Sequence, residues 1–194
     1  EEVDISENEK QDYNFSVSRY TINNPEGFDS AVKIGDLFKE VYTSRRRKHT
    51  EDRGIRIRIR DLAKPGSSSK FLGIHEFNRE ALPEKARLRK IDEDVLLVSN
   101  KFGSLYPTVY RWTEQEQRSI YIDNNIFAFN ISEFSNDEMK YYVSELNSNF
   151  VKSQLNKYLT GATIPYIRRG DLLRIRLRDH VRNKAVQAGP LDNL

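Results

Sequence analysis

Apolar and polar residues alternate with a period of two in two segments of this chain. In 54–62, Ile55, Ile57 and Ile59 fall on one side and Arg56, Arg58 and Arg60 on the other. In 172–178, Leu173, Ile175 and Leu177 oppose Arg174, Arg176 and Arg178. Strict alternation predicts half-buried strands, because successive side chains of a strand leave opposite faces. A different rhythm runs through 136–159. Met139, Val143, Leu146 and Phe150 recur at steps of three and four, and Val151, Leu155 and Tyr158 continue the stripe past a break near Ser148-Asn149. That spacing predicts an amphipathic helix in two pieces. Ser135 is its expected N-cap, with Asp137 and Glu138 in the first turn, where the helix dipole favours acids.

The remaining pattern is shorter in range. Residues 32–41 read as a short strand followed by a helical turn capped near Asp36, and 71–74 as another short strand. The run 91–99 reads as a turn entering a buried strand. Segments 106–112, 119–122 and 125–131 are rich in aromatic and β-branched residues and read as strands too. Residues 64–70 are a loop by composition, and Pro83 marks a later connection. Gly161 frees the chain after the helical region, and Pro165 forces Ile164 into an extended conformation. The expected architecture is α+β: a mixed, largely antiparallel curved sheet with a few packed helices. Residues 1–30 read as an acidic leader, 31–179 as the domain, and 180–194 as a frayed tail.

Composition narrows the class. The chain has 194 residues, 37% hydrophobic and 31% charged, with no apolar run of membrane-spanning length, which predicts a soluble, cytoplasmic protein. The absence of cysteine excludes disulfides and thiolate metal sites. Residues 1–12 carry six acids and one base, a net −5, so the other 182 residues carry +8 within the overall +3. A basic body of this kind is compatible with a polyanionic partner.

Catalytic constellations are not visible. His49, His75 and His180 are far apart and lack metal-ligating neighbours at helical spacing, so they read as surface or packing residues. There is no glycine-rich phosphate loop and no Asn-Pro-Pro-aromatic segment of the kind that grips a flipped adenine. Glu138-Met139-Lys140 has the acid-x-Lys spacing of metal-dependent nucleases, but on a helix residues two apart face about 200° apart. No catalytic residue, metal or cofactor is therefore expected in this chain.

Nucleic-acid binding is the functional signal that remains. Arg45, Arg46, Arg47 and Lys48 suit phosphate neutralisation, although a solvated charged loop reads equally well. Residues that read bases belong on loops held by the sheet. The candidates are Ser68, Ser69 and Lys70 in a first loop and Asn100, Lys101, Phe102 and Ser104 in a second. Tyr106 and Arg111 come next, with Tyr110 and Trp112 beside them; for the aromatics, core packing is the better reading. For Arg56, Arg58 and Arg60, pairing with acids on neighbouring strands is favoured for at least one.

Several motifs resemble one family. They are Ile34-Gly35-Asp36-Leu37, Ile59-Arg60-Asp61-Leu62, and Gly-x-Thr-Ile-Pro-x-Ile at 161–167 followed by Gly170-Asp171-Leu172. In this order they resemble the target recognition domain of type I restriction–modification specificity subunits, and of adenine methyltransferases that carry one fused. The segment 12–20 is similar to the closing segment of an N6-adenine methyltransferase of that class. The resemblance covers 32–178 and is strongest at the two ends; between them, only the order of elements agrees. It implies a non-catalytic domain that reads double-stranded DNA at one half of a bipartite site or at a short asymmetric site. It also implies partners, an adenine methyltransferase that would bind S-adenosylmethionine and a restriction subunit, and a last strand brought back against the sheet. The chain departs from the family after 176–178, where Asp179-His180-Val181-Arg182 stands in place of Pro-Leu-Pro-Pro-Leu-x-x-Gln, which favours a single terminal recognition domain. The competing expectation is a protein-interaction domain whose arginine faces bind an acidic protein or stabilise the sheet. An RNA-binding module is weaker, for want of spaced aromatics on a sheet. DNA binding predicts basic loops gathered on one concave face, whereas the interaction reading lets them scatter.

Overall fold

A computed structural model of the chain describes residues 27–41, 53–64, 70–73, 76–83, 88–101, 103–112, 119–161 and 163–179. Its central layer is an antiparallel sheet of β2 (Lys39–Glu40), β9 (Ile126–Asn130), β6 (Val95–Ser99) and β7 (Thr108–Tyr110), in that order. Every residue of β6 is buried, so the alternation expected of a half-exposed strand is absent there. The reason is that both faces of this sheet are covered. Leu96 and Val98 face one hydrophobic core, Val95 and Leu97 the other.

The second core lies between the central sheet and a mixed one, ordered β4 (Glu80–Ala81), β3 (Arg53–Ile57), β8 (Ile120–Ile122) and β5 (Arg89–Ile91). Here β3 and β8 run parallel, and the other pairs antiparallel. Ile55, Ile57, Ile120 and Ile122 point into the shared core, while Tyr121 closes the outer face with Leu82 and Leu88. Gly54 is required beneath that ring: a Cβ there would sit 2.4 Å from Tyr121 Cε2.

The first core is closed by helices α2 (Asn136–Leu146) and α3 (Asn149–Tyr158). The Ser135 hydroxyl accepts from the Glu138 N–H, and the Glu138 carboxylate accepts from the Ser135 N–H, a capping box; at α3 only the first half is present, the Ser148 hydroxyl accepting from Val151 N–H. The stripe Met139, Val143, Leu146, Phe150, Val151 and Leu155 is buried. The first and last described strands, β1 (Val32–Lys33) and β10 (Arg176–Leu177), pair antiparallel, with Val32 opposite Leu177. Between them α1 (Ile34–Leu37) packs against α4 (Arg169–Arg174). The architecture is α+β, with the expected sheet divided into two four-stranded sheets and a two-stranded ribbon.

Two boundaries differ from the sequence pattern. Residues 169–174 are helical, and the strand begins only at Arg176. Leu172 is fully buried while Leu173 is part-buried, because Leu172 and Ile175 are spaced for a helical turn against the core. A pair of adjacent leucines satisfies either period, and packing chose the helix. In the other segment β3 ends at Ile57, and Ile59–Asp61 form a 3-10 turn. The Asp61 carboxylate accepts from Arg58 N–H at 2.8 Å and so takes that donor away from any strand ladder.

Each arginine of the two alternating segments has a partner in the fold, although the Arg60 and Arg174 side chains remain mostly exposed. Arg56 lies 4.0 Å from Asp123, Arg58 pairs with Glu80, and Arg60 lies 3.7 Å from Asp61. Arg174 lies 3.9 Å from Asp171, Arg176 donates to Ala31 O at 2.6 Å and covers the Phe28 ring, and Arg178 chelates Glu145.

Candidate nucleic-acid interface

The register of the central sheet gathers loops at one end. Ser99, the last residue of β6, stands opposite Ile126, the first of β9, so Asn100 follows where the 123–125 turn arrives. Asn100 N–H donates to Asn125 O at 3.0 Å. The antiparallel β6–β7 pair brings Leu105 and Tyr106 to the same end, with Ser99 N–H on Leu105 O at 2.6 Å. Outside β7 the segment 70–72 is added in parallel, Val109 N–H donating to Lys70 O at 2.9 Å and Leu72 N–H to Val109 O at 2.8 Å. Lys70, Asn100, Lys101, Ser104 and Tyr106 are thereby brought to one edge, all part-buried. At normal strand spacing the edge is roughly 15 Å wide, close to the about 12 Å of a B-DNA major groove.

Local bonding holds the second loop in shape. Ser99 Oγ accepts from Lys101 N–H at 3.1 Å, and Gly103 adopts φ +68°. Tyr106 is the one described non-glycine residue with positive φ, at 45°, and its carbonyl accepts from the Thr108 hydroxyl at 3.0 Å. The Asn100 side-chain amide donates to Asn124 O at 3.4 Å, while its Oδ1 is buried without a donor. Asp123 is the acid at this end, and it is occupied by Arg56 and by Asn125 N–H at 2.8 Å.

A third loop joins this edge. Thr160 and Tyr166 exchange both backbone hydrogen bonds, at 2.9 and 2.8 Å, and Tyr166 also bridges Lys101. Ile167 N–H donates to Asn100 O at 2.9 Å, laying the hairpin against the second loop. The side chain of Thr160 and then that of Arg168 hydrogen-bond the Tyr166 phenol and, with the charges of Arg168 and Lys101, hold it below its ordinary value. Gly161 makes the turn at φ +94°; a Cβ there would lie 2.6 Å from Ile164 O. Gly161→Ala is therefore expected to destabilise by roughly 1–3 kcal/mol, read as a lower midpoint in thermal unfolding followed by circular dichroism. An unchanged midpoint would mean the hairpin rearranges at no cost.

Sequence reasoning did not place Thr160, Tyr166 and Arg168 at a site. The available signal was a tight Gly-x-x-x-Pro turn followed by Tyr and Arg, but its apposition to Lys101 is non-local. Arg111 is corrected in the opposite sense. It sits at the far end of β7 and donates to Asp94 Oδ2 at 2.8 Å, Phe134 O at 2.7 Å, Ile131 O at 3.2 Å and Asn136 Oδ1 at 3.0 Å. It ties the β9–α2 connection to the sheet. Tyr110 is core, and Trp112 packs part-buried against the second core. Arg45, Arg46, Arg47, Lys48, Ser68, Ser69 and Phe102, like His49, His75 and His180, lie outside the described residues.

What this edge can do is donate hydrogen bonds and present positive charge. Among the described residues no three His, Asp or Glu are grouped to hold a metal ion. Glu138 is held in its capping box and Lys140 by Asp137 at 2.8 Å, with Met139 buried between them. No described helix is long and apolar enough to cross a membrane. No protein-family model matches this chain, and no curated protein matches it.

Proposed function

We propose that this domain reads the sequence of double-stranded DNA and places an adenine methyltransferase, partnered or fused, together with a restriction subunit, on the site it reads. In this reading the domain is non-catalytic, works in the cytoplasm and binds no cofactor, S-adenosylmethionine belonging to the methyltransferase. The observation that carries it is the gathering of Lys70, Asn100, Lys101, Ser104 and Tyr106 at one sheet end, while Arg56, Arg58, Arg176 and Arg178 of the two alternating segments are taken up by contacts within the fold. An interaction role through those arginine faces has less support, since four of the six guanidinium groups are part-buried against partners in the fold and only Arg60 and Arg174 are mostly exposed.

The chemistry divides naturally along this edge. Lys70 and Lys101 suit phosphates, which position without discriminating. Ser104 accommodates either donor or acceptor on a base edge, while Asn100, its Oδ1 buried and its amide on Asn124 O, shapes the loop that carries it. The test is selection of bound duplexes from a randomised library at two salt concentrations. The expected result is an enriched motif of a few base pairs whose affinity falls as salt rises. Ser104→Ala is expected to relax one position of that motif by about 1 kcal/mol. Binding without enrichment would reduce the edge to a basic surface, and no binding at low salt would overturn the reading.

A further inference from the structure

We infer that the 160–168 hairpin is a second DNA-contacting element, in which Arg168, Tyr166 and Lys101 together grip one phosphate of the duplex backbone. The inference rests on the DNA reading above and adds a contact that the sequence motifs do not point to.

Partner chemistry singles out Arg168. Among the described residues every other arginine donates to a backbone carbonyl or lies within 4.0 Å of a carboxylate of the fold. Arg168 is exposed, and among the described residues no carboxylate or backbone carbonyl is paired with its guanidinium. Its neighbour shows the contrast: Arg169 donates to Glu40 at 2.6 Å, and that carboxylate is only 6% exposed. Lys101, across the backbone bridge from Tyr166, likewise has no carboxylate among the described residues. Tyr166 stands across the bridge from Lys101 and two residues before Arg168, with buried Ile167 between them, so the three side chains leave the hairpin on one face, and no described carboxylate is paired with either cation. Like charges held close repel, and an anion placed among them removes that repulsion.

The donor set matches a phosphodiester. A guanidinium offers a planar fork that meets two phosphate oxygens, an ammonium adds a point charge, and a phenol adds one directed O–H. The mounting is firm, since Thr160 and Tyr166 bond each other twice and Ile167 ties the hairpin to Asn100 O. Groups ordered before binding lose less entropy on contact. The site lies on the rim of the same edge that carries Asn100 and Ser104, where a phosphate flanking the bases under contact would fall.

The experiment measures anisotropy of a labelled duplex with the 194-residue chain across a salt series, using the selected motif and a scrambled duplex. Arg168→Ala is expected to weaken both duplexes by a similar factor, roughly five- to tenfold, and to lower the slope of log affinity against log salt by about 0.9. Tyr166→Phe should weaken both less and leave the slope unchanged, because it removes a hydrogen bond and no charge. Arg169→Ala serves as the structural comparison, expected to lower the unfolding midpoint while leaving the slope alone. Wild-type binding with unchanged affinity and slope in Arg168→Ala removes this site and leaves the DNA reading standing. Loss confined to one base position of the motif overturns it in favour of base contact. Absence of wild-type binding to any duplex removes both.

Discussion

Tyr142→Ala is expected to destabilise the fold by about 4 kcal/mol, within the range for truncating a fully buried aromatic. Tyr142 is 0% exposed and stands edge-on to Phe38 at 5.3 Å and to Phe134 at 5.7 Å between centroids. Its hydroxyl donates to Asp179 Oδ1 at 3.0 Å, so one residue joins the central core to the end of the domain. Each edge-to-face pair adds about 0.5–1.5 kcal/mol beyond area burial, and the cavity left by the ring cannot collapse between two helices and a sheet. Tyr142→Phe separates the contributions. It keeps the ring and removes a donor from buried Asp179, for a smaller loss of about 1–2 kcal/mol. Urea unfolding checks both variants through the midpoint at constant slope. A loss below that of the Phe variant would show that this aromatic cluster does not organise the core.

Arg178→Ala is expected to cost about 2–4 kcal/mol, because it leaves a buried carboxylate without its counter-charge. The Glu145 side chain is 4% exposed and accepts from Arg178 Nε at 2.8 Å, Nη2 at 2.7 Å and the Arg178 N–H at 3.2 Å. Glu145 stands in the last turn of α2, where the helix dipole disfavours an acid and the arginine is needed more. The Arg178 side chain is 42% exposed, so water replaces part of what is lost and the estimate stays below that for a fully enclosed pair. Arg178→Lys should recover only part, since an ammonium cannot reproduce the two-pronged geometry. The hydrogen bond from Arg178 to Glu145 holds the guanidinium above its ordinary value, against the opposing effect of burial. A raised value means the stabilisation is present below the unfolded value and lost only as pH rises through the folded one. The cost of Arg178→Ala should therefore be the same at neutral and mildly alkaline pH. A double-mutant cycle with Glu145→Gln measures the coupling, and additivity would refute a specific pair.

The two variants probe one design feature. Helix α2 fastens the last described segment at two points, Tyr142 on Asp179 and Glu145 on Arg178, while Gln154 of α3 bonds both the N–H and the carbonyl of Arg176 at 2.8 and 2.9 Å. These three contacts hold β10 in place, and α4 immediately before it follows directly from the hairpin bearing Tyr166 and Arg168. Stability of the closing strand and presentation of the candidate interface are thus mechanically connected.

Much of the fold was legible in local pattern. Period and capping chemistry act over a few residues, and so Ser135, Ser148 and the stripe from Met139 to Leu155 define α2 and α3 without reference to anything distant. The same holds for β6, whose unbroken apolar run marks a strand covered on both faces. Where a segment satisfies two periods, local pattern is silent. Residues 172–173 became helical because burying Leu172 and Ile175 against the core outweighed alternation. The two-residue strands β2 and β4 have no period to read at all.

The candidate interface divides along the same line. By itself the sequence determined that the chain forms an α+β domain with a basic body, helices in known places and a polar, glycine-bearing loop after a buried strand. Only the tertiary structure decided which cations are taken up by acceptors within the fold and which have none paired with them among the described residues. Arg111 resembled a reader until Asp94, Ile131, Phe134 and Asn136 were brought around it, and Arg168 was one arginine among several until the other described arginines, Arg169 beside it included, were seen paired with acceptors. A charged side chain's role depends on the nearest acceptors in space, and those are set by long-range chain crossings that no short window of sequence contains.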